Sequence, residues 1–314
     1  MQRASCVLGA ALLMLGLGGC ALNLVPASEP ISLDTPWAGY ECIRVRTCNG
    51  DVELLARDTP GIRITGVKRA SGATLAEARA NLERLAIVAE PDPDDPRVFV
   101  VRLDVPADLR HRSPGASLAV HVPQPCAADV VTGNGSVSVR DMKDRARLRT
   151  ANGAITVENF DGVVEAATSN GQVRATNVTG SLEAETSNGA IFVRSVTGDC
   201  RLETSNGRIE VREAAGNVQA VSSNGAIDVA AAPPQEGQVV LETSNGRIRV
   251  ELPANLRGVV SLHTSNGRID TDFGSATLSN PRWSSRRFEA AINGGGAGRI
   301  TAGTSNGSIV LVCR

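Results

Sequence analysis

The groups that could carry chemistry are spread thinly, and their spacing limits what they can do. Carboxylates recur at a fixed interval, Glu185 with Glu203 and Glu210 with Asp228, each pair 18 residues apart. Paired carboxylates are the equipment of glycoside hydrolysis. Arg201, Arg208 and Arg249 lie nearby, however, and a solvated face of mixed charge is the preferred reading. The three histidines, at 111, 121 and 263, are isolated, and no His-x-x-x-His, Cys-x-x-Cys or Walker sequence occurs. The glycine run at 294–298 precedes a strand pattern, so it cannot cradle phosphate at a helix terminus. The acidic turn Pro91 to Pro96 lacks the Gly and the closing Glu of a calcium loop. No catalytic residue, metal or cofactor is expected. The densest unusual group is Arg282-Trp283 with Arg286-Arg287-Phe288. Arg and Trp concentrate in binding hot spots. Arg282, Trp283, Arg286 and Arg287 are therefore the candidate ligand-binding set, for an anionic glycan, a lipid headgroup or a protein. An end-cap role is the simpler, preferred alternative.

The N-terminus and the cysteines carry the other chemistry. Arg3 precedes an apolar run from Val7 to Leu17, too short to span a bilayer, and Leu17-Gly18-Gly19-Cys20 ends it. This resembles a bacterial lipobox, in which Cys20 becomes the lipid-modified first residue and 1–20 is a lipoprotein signal peptide. Several acyl chains, palmitate among them, give stable anchoring. Ala21, rather than Asp, implies the outer membrane. Residues 21–38, with Pro26, Pro30 and Pro36, are expected to be a flexible tether. Of the seven cysteines, five remain if Cys6 leaves with the signal and Cys20 carries lipid. Cys200 and Cys313 fall at core positions. If the first coil stacks on the one starting near Ala127, Cys42 comes beside Cys126, and a disulfide is expected there.

These residues must be positioned by a repeat. Thr-Gly-Asn-Gly, Thr-Ala-Asn-Gly, three copies of Thr-Ser-Asn-Gly and then Ser-Ser-Asn-Gly place Asn134, Asn152, Asn170, Asn188, Asn206 and Asn224 at intervals of 18 residues. Asn245 and Asn266 follow at 21, and Asn306 comes 40 later. A fixed period of this length marks a repeat architecture. Each copy has an alternating apolar pair on both sides of Asn-Gly, such as Leu182 and Ala184, then Ile191 and Val193. Period-two alternation is the signature of a strand with one buried face. Asn-Gly, which accepts positive φ, marks the reversal between strands, and a second corner lies near Gly162, Gly180, Gly198 and Gly216. An antiparallel meander would leave one broad apolar face uncovered. A solenoid folds that face inward and stacks Asn over Asn and Thr over Thr, so that amides bond along the axis. The expected fold is thus all-β, a β-solenoid of 18–21-residue repeats whose ends need caps.

Flanking segments complete the plan. Ile43, Val45, Asn49, Gly50, Val52 and Leu54 match the repeat, making a divergent first coil. Thr74-Leu75-Ala76-Glu77 opens with a capping box. With Leu75, Ala78, Leu82 and Leu85 on one face, it predicts a single helix over 75–86 that covers the N-terminal end. Strands are expected at 62–67, 98–105 and 117–122. The domain plan is therefore 39–126 for the divergent coil, helix and capping strands, and 127–314 for the solenoid, with one large insertion at 274–297. The last coil is expected to be complete, with Ile300, Ala302, Asn306, Ile309 and Leu311 at its inward and turn positions.

Net charge is −1 and aromatics make up 3% of 314 residues, which argues against nucleic acid as partner. With the lipobox, the early helix and the Thr-Ser-Asn-Gly-x-Ile-x-Val array in hand, the chain resembles the putative-adhesin family of bacterial β-strand-repeat (toastrack-like) domains. That resemblance implies an envelope-exposed, non-enzymatic binding or scaffold module, some relatives standing beside envelope-stress systems, and it carries over no catalytic residues. The expected partners are a membrane, through the lipid anchor, and an envelope protein or glycan. Alternatives are a carbohydrate-active β-helix enzyme and an accessory protein of an envelope-stress response.

Overall fold

A computed structural model describes residues 24–314 apart from residues 59, 124 and 125; Cys6 and Cys20 lie outside the described residues. The repeat closes into parallel rungs, each giving one strand to a sheet before the Asn-Gly corner and one to a sheet after it. Stacking is in phase: Leu182 faces Cys200 and Thr186 faces Thr204, while Ile191 faces Ile209 and Val193 faces Val211. Alternate residues point between the sheets. Ile191, Leu202, Val211, Val218 and Val229 and their counterparts form one continuous buried core.

The corner works differently from expectation in one respect. The glycines of the Asn-Gly steps, Gly153 to Gly246, are absent from the residues with left-handed φ. What they require is closeness: a Cβ on Gly189 would lie 1.7 Å from the carbonyl oxygen of Gly171. The threonine before them is buried. Thr186 Oγ1 donates to the Gly171 carbonyl at 3.0 Å and accepts from the Gly189 N–H at 3.1 Å. Asn188 meanwhile points outward and donates to Asn170 Oδ1 at 2.8 Å. Each corner therefore carries an inner hydroxyl column and an outer amide column.

The second corner contains a column that sequence analysis missed. Asp141, Asn159, Asn177, Ser195 and Glu213 all have φ between 53° and 58°, a region that Asn and Asp tolerate better than most residues. Asn159 donates to Asp141 at 2.9 Å, Asn177 to Asn159 at 3.0 Å, and Ser195 Oγ to Glu213. The 18-residue interval was the signal that could have found it.

At the N-terminal end, the rung 42–56 lies inside, between 127–140 and an outer rung made of Val98–Asp104 and Gly115–Val122. Antiparallel strands cover that outer rung: Ala86–Pro91 on one sheet, Gly61–Gly72 and then Val25–Pro36 on the other. The expected tether over 21–38 is thus corrected, since residues 25–36 are an edge strand. Pro26, Pro30 and Pro36 share one parity, so their missing N–H groups lie on one side. That is what an unpaired sheet edge tolerates. The helix is Leu75–Glu83, shorter than expected because Ala86 already begins a strand. Leu75 is 42% exposed, whereas Ala78, Leu82 and Leu85 are buried. Thr74 Oγ1 and Glu77 cap the helix start, and Lys68 Nζ donates to the carbonyls of Leu82 and Leu85 near its end. Among the described residues no helix is long and apolar enough to cross a membrane.

The C-terminal end is not stacked in chain order. Arg299–Thr304 pairs with Gln238–Thr243 on one side and Gly258–Thr264 on the other. Ile309–Cys313 does the same between Ile248–Leu252 and Ile269–Asp272. The rung 299–313 is therefore inserted, and 258–272 is outermost. The 274–297 segment forms a hairpin, Leu278–Ser284 with Arg287–Ile292, laid antiparallel on the free edge of Gly258–Thr264.

Candidate functional site

The outer amide column is continuous. It runs from Asn49 through Asn134, Asn152, Asn170, Asn188, Asn206, Asn224 and Asn245 to Asn306 and then Asn266. The reversed order of its last two members follows from the inserted rung. At its start, Asn49 Nδ2 donates to the Pro114 carbonyl at 2.9 Å. With their amides engaged along the axis, these side chains are structural.

The Arg/Trp group sits on the terminal hairpin. Trp283 faces Phe288 across the hairpin, edge-on at 5.1 Å between ring centroids. The two rings do different work. Phe288 is fully buried against Phe273, at 5.3 Å, and closes the core, whereas Trp283 is 60% exposed. Ser284 Oγ accepts from the N–H groups of Arg286 and Arg287, which shapes the turn. The Arg286 carbonyl accepts from Thr264 N–H at 3.0 Å, tying the turn to the outermost rung. Arg287 lies 3.7 Å from Glu289. Arg282 and Arg286 have no carboxylate partner among the described residues. The hairpin thus divides the group: Trp283 shares the face of Phe288, Arg282 and Arg287 take the opposite face with Glu289, and Arg286 lies in the turn. It offers guanidinium donors on one face and an exposed indole ring on the other.

The other candidates resolve into structure. Glu210 and Asp228 do lie side by side, but Arg208 and Arg212 bridge both, with Arg212 at 3.2 Å from Glu210 and 2.9 Å from Asp228. Glu185 and Glu203 are in register on the opposite sheet. Asp92, in the acidic turn, is buried and paired to Arg44. Arg44 and Arg46 also bind Asp129. Burial pushes the Asp129 carboxyl upward, but Arg46 and then Arg44 outweigh it and hold it below the usual range. No group of three or more His, Cys, Asp or Glu converges among the described residues.

The expected Cys42–Cys126 disulfide is corrected, since both thiols are free. Parallel pairing sets Cys42 opposite Ala127. Cys42 has the outward parity of Arg44 and Arg46, while Cys126 is packed into the core. Burial pushes the Cys126 and Cys200 thiols to about 12 and Cys313 to about 11.

A family model described as Toastrack DUF4097 matches residues 148–311. Three solved structures are similar to the chain at low identity. One is a putative lipid binding protein from Parabacteroides distasonis, 13% identical with a TM-score of 0.49, covering 90% of this chain and 96% of that one. Another is a putative adhesin from Bacteroides fragilis, 10% identical with a TM-score of 0.31, covering 91% and 97%. The third is a putative cell adhesion protein from Clostridium sporogenes, 11% identical with a TM-score of 0.25, covering 92% and 100%. No curated protein matches. The family match takes in most of the repeat array and more than half of the sequence, and the chain belongs to the Toastrack DUF4097 family.

Proposed function

We propose that this chain is a non-enzymatic binding module of the cell envelope, anchored by lipid on Cys20, that presents the end of its terminal hairpin to a partner as an exposed patch, with Arg282, Trp283, Arg286 and Arg287 on its two faces and turn. The observation that carries this reading is the distance between the two ends. Ten successive parallel pairings separate Gly115–Val122 from Ile269–Asp272. At about 4.8 Å per pairing the rod is roughly 50 Å long. The strand nearest Cys20, Val25–Pro36, lies at one end, and the hairpin lies at the other. An anchor at residue 20 thus holds the patch away from the bilayer. Ala21 supports the outer membrane as the site of anchoring.

The test is photo-crosslinking in intact cells, with a crosslinker replacing Trp283 and a control replacing Gln219 on the side of the rod. A discrete adduct is expected at Trp283 alone, lost in Arg282→Ala/Arg287→Ala. Equal yields at both positions would remove the patch from the proposal. Cys20→Ser, followed by metabolic acyl labelling and fractionation, tests the anchor separately.

A further inference from the structure

The outward face of the sheet after the Asn-Gly corner is charge-balanced along most of its length. Arg140 pairs with Glu53 and Glu158, Arg212 with Glu210 and Asp228, and Arg249 with Glu251. Two neighbouring rungs break this pattern. Neither Arg174 nor Arg194 has a carboxylate partner among the described residues. Instead the Arg174 guanidinium lies 4.9 Å above the Phe192 ring, which fixes the plane of its fork.

The register sets Arg174 opposite Phe192 and Thr176 opposite Arg194. The two arginines are therefore diagonal neighbours, with Cα atoms about 8 Å apart by ordinary strand spacing. Both line a shallow depression of about 490 Å³, together with Thr176, Phe192 and Arg212. Two long cationic side chains at that separation can converge on one anion, with the Thr176 hydroxyl close by.

The surroundings narrow the ligand. Glu210 and Glu213 also line the depression. Glu210 is held by Arg208 and Arg212, and Glu213 accepts from Ser195 Oγ. A chain with dense negative charge would meet these carboxylates. A saccharide with one acid group among neutral hydroxyls would not, since it presents charge to the arginines and acceptors and donors elsewhere.

We propose that Arg174 and Arg194 form an anion site on the flank of the rod that takes the carboxylate or phosphate ester of an acidic envelope glycan. The site is separate from the terminal hairpin and does not rest on it. Isothermal titration of the full chain at low salt tests it, with galacturonic acid and glucose 6-phosphate as singly acidic probes, and maltotriose and anionic phosphatidylglycerol vesicles as comparisons. At least one acidic saccharide is expected to bind and maltotriose not to. Arg174→Gln and Arg194→Gln should each weaken binding tenfold or more, with unchanged thermal unfolding, and Arg282→Ala/Arg287→Ala should leave it unchanged. Binding by the uronate or by the phosphate identifies which acid group is preferred, and either supports the site. The proposal is overturned if neither acidic saccharide binds or maltotriose binds equally. It also fails if vesicles alone bind, or if the two glutamine variants bind as tightly as the wild type.

Discussion

Replacing Thr186 by valine asks which of the two corner columns holds the rungs together. Valine keeps the shape of a side chain that is 2% exposed and removes only the hydroxyl. That hydroxyl serves two backbone groups, the Gly171 carbonyl at 3.0 Å and the Gly189 N–H at 3.1 Å. Both would be left buried without a partner, at about 1–3 kcal/mol each, so a loss of about 2–6 kcal/mol is expected. Asn188→Ala removes two amide bonds of 2.8 Å, to Asn170 and from Asn206. That column is exposed, water replaces the lost partners, and the loss should be about 1 kcal/mol or less. Urea unfolding followed by circular dichroism measures both variants. Amide exchange at 182–211 checks whether the damage stays local, because repeat arrays need not unfold as one unit. A Thr186→Val loss no larger than that of Asn188→Ala would refute the idea that the inner column dominates.

Gly189→Ala should cost more than about 4 kcal/mol or prevent folding, because its Cβ meets the neighbouring backbone. Gly303→Ala, with nothing within 4 Å of its Cβ, should stay within about 0.5 kcal/mol in the same urea unfolding. Removing residues 299–314 uncovers the facing edges of Gln238–Thr243 and Gly258–Thr264; limited proteolysis should then cut within 258–292, and size-exclusion chromatography should show association. For Asp129 the folded carboxyl is held below its unfolded value. Its contribution is therefore complete above the ordinary value of about 4 and fades as pH falls through the depressed one. Asp129→Asn should flatten that part of the acid limb in urea titrations. Alkylation of native protein at pH 8 followed by mass spectrometry should modify exposed Cys48 and spare Cys126, Cys200 and Cys313 until denaturant is added. Cys42 and Cys126 that stay unmodified in denaturant without reductant would restore the disulfide.

The architecture was legible because period two within a repeat and 18 between repeats are both written in residue types. Leu182, Ala184, Ile191 and Val193 are inward because alternation leaves them no other choice. Chain order at the ends was not legible. Ile300 and Ile309 have the same phase whether their rung is outermost or inserted, since every rung offers equivalent edges. The prolines at 26, 30 and 36 misled for a related reason: a free sheet edge and a loose tether both dispense with N–H donors. The Cys42–Cys126 expectation had the right neighbouring rungs and the wrong parity. The terminal patch could be found from composition, but the separation of Trp283 from buried Phe288 required the hairpin register. Arg174, Phe192 and Arg194 escaped notice because each looks like an ordinary outward residue. Their distinction lies in the missing counter-charges on adjacent rungs.

Repeat rods usually peel from their outermost unit, where half the stacking contacts are absent. Here each outermost rung, 98–122 and 258–272, runs on one side into a strand deeper in the stack, Ala127–Thr132 or Ile248–Leu252, and on the other into antiparallel strands that cover its edge. A rung that detaches stays leashed at two points and can swing back to its own seat. Unravelling must therefore begin in the antiparallel covers, at Val25–Pro36 or Leu278–Ser284, and not in a rung.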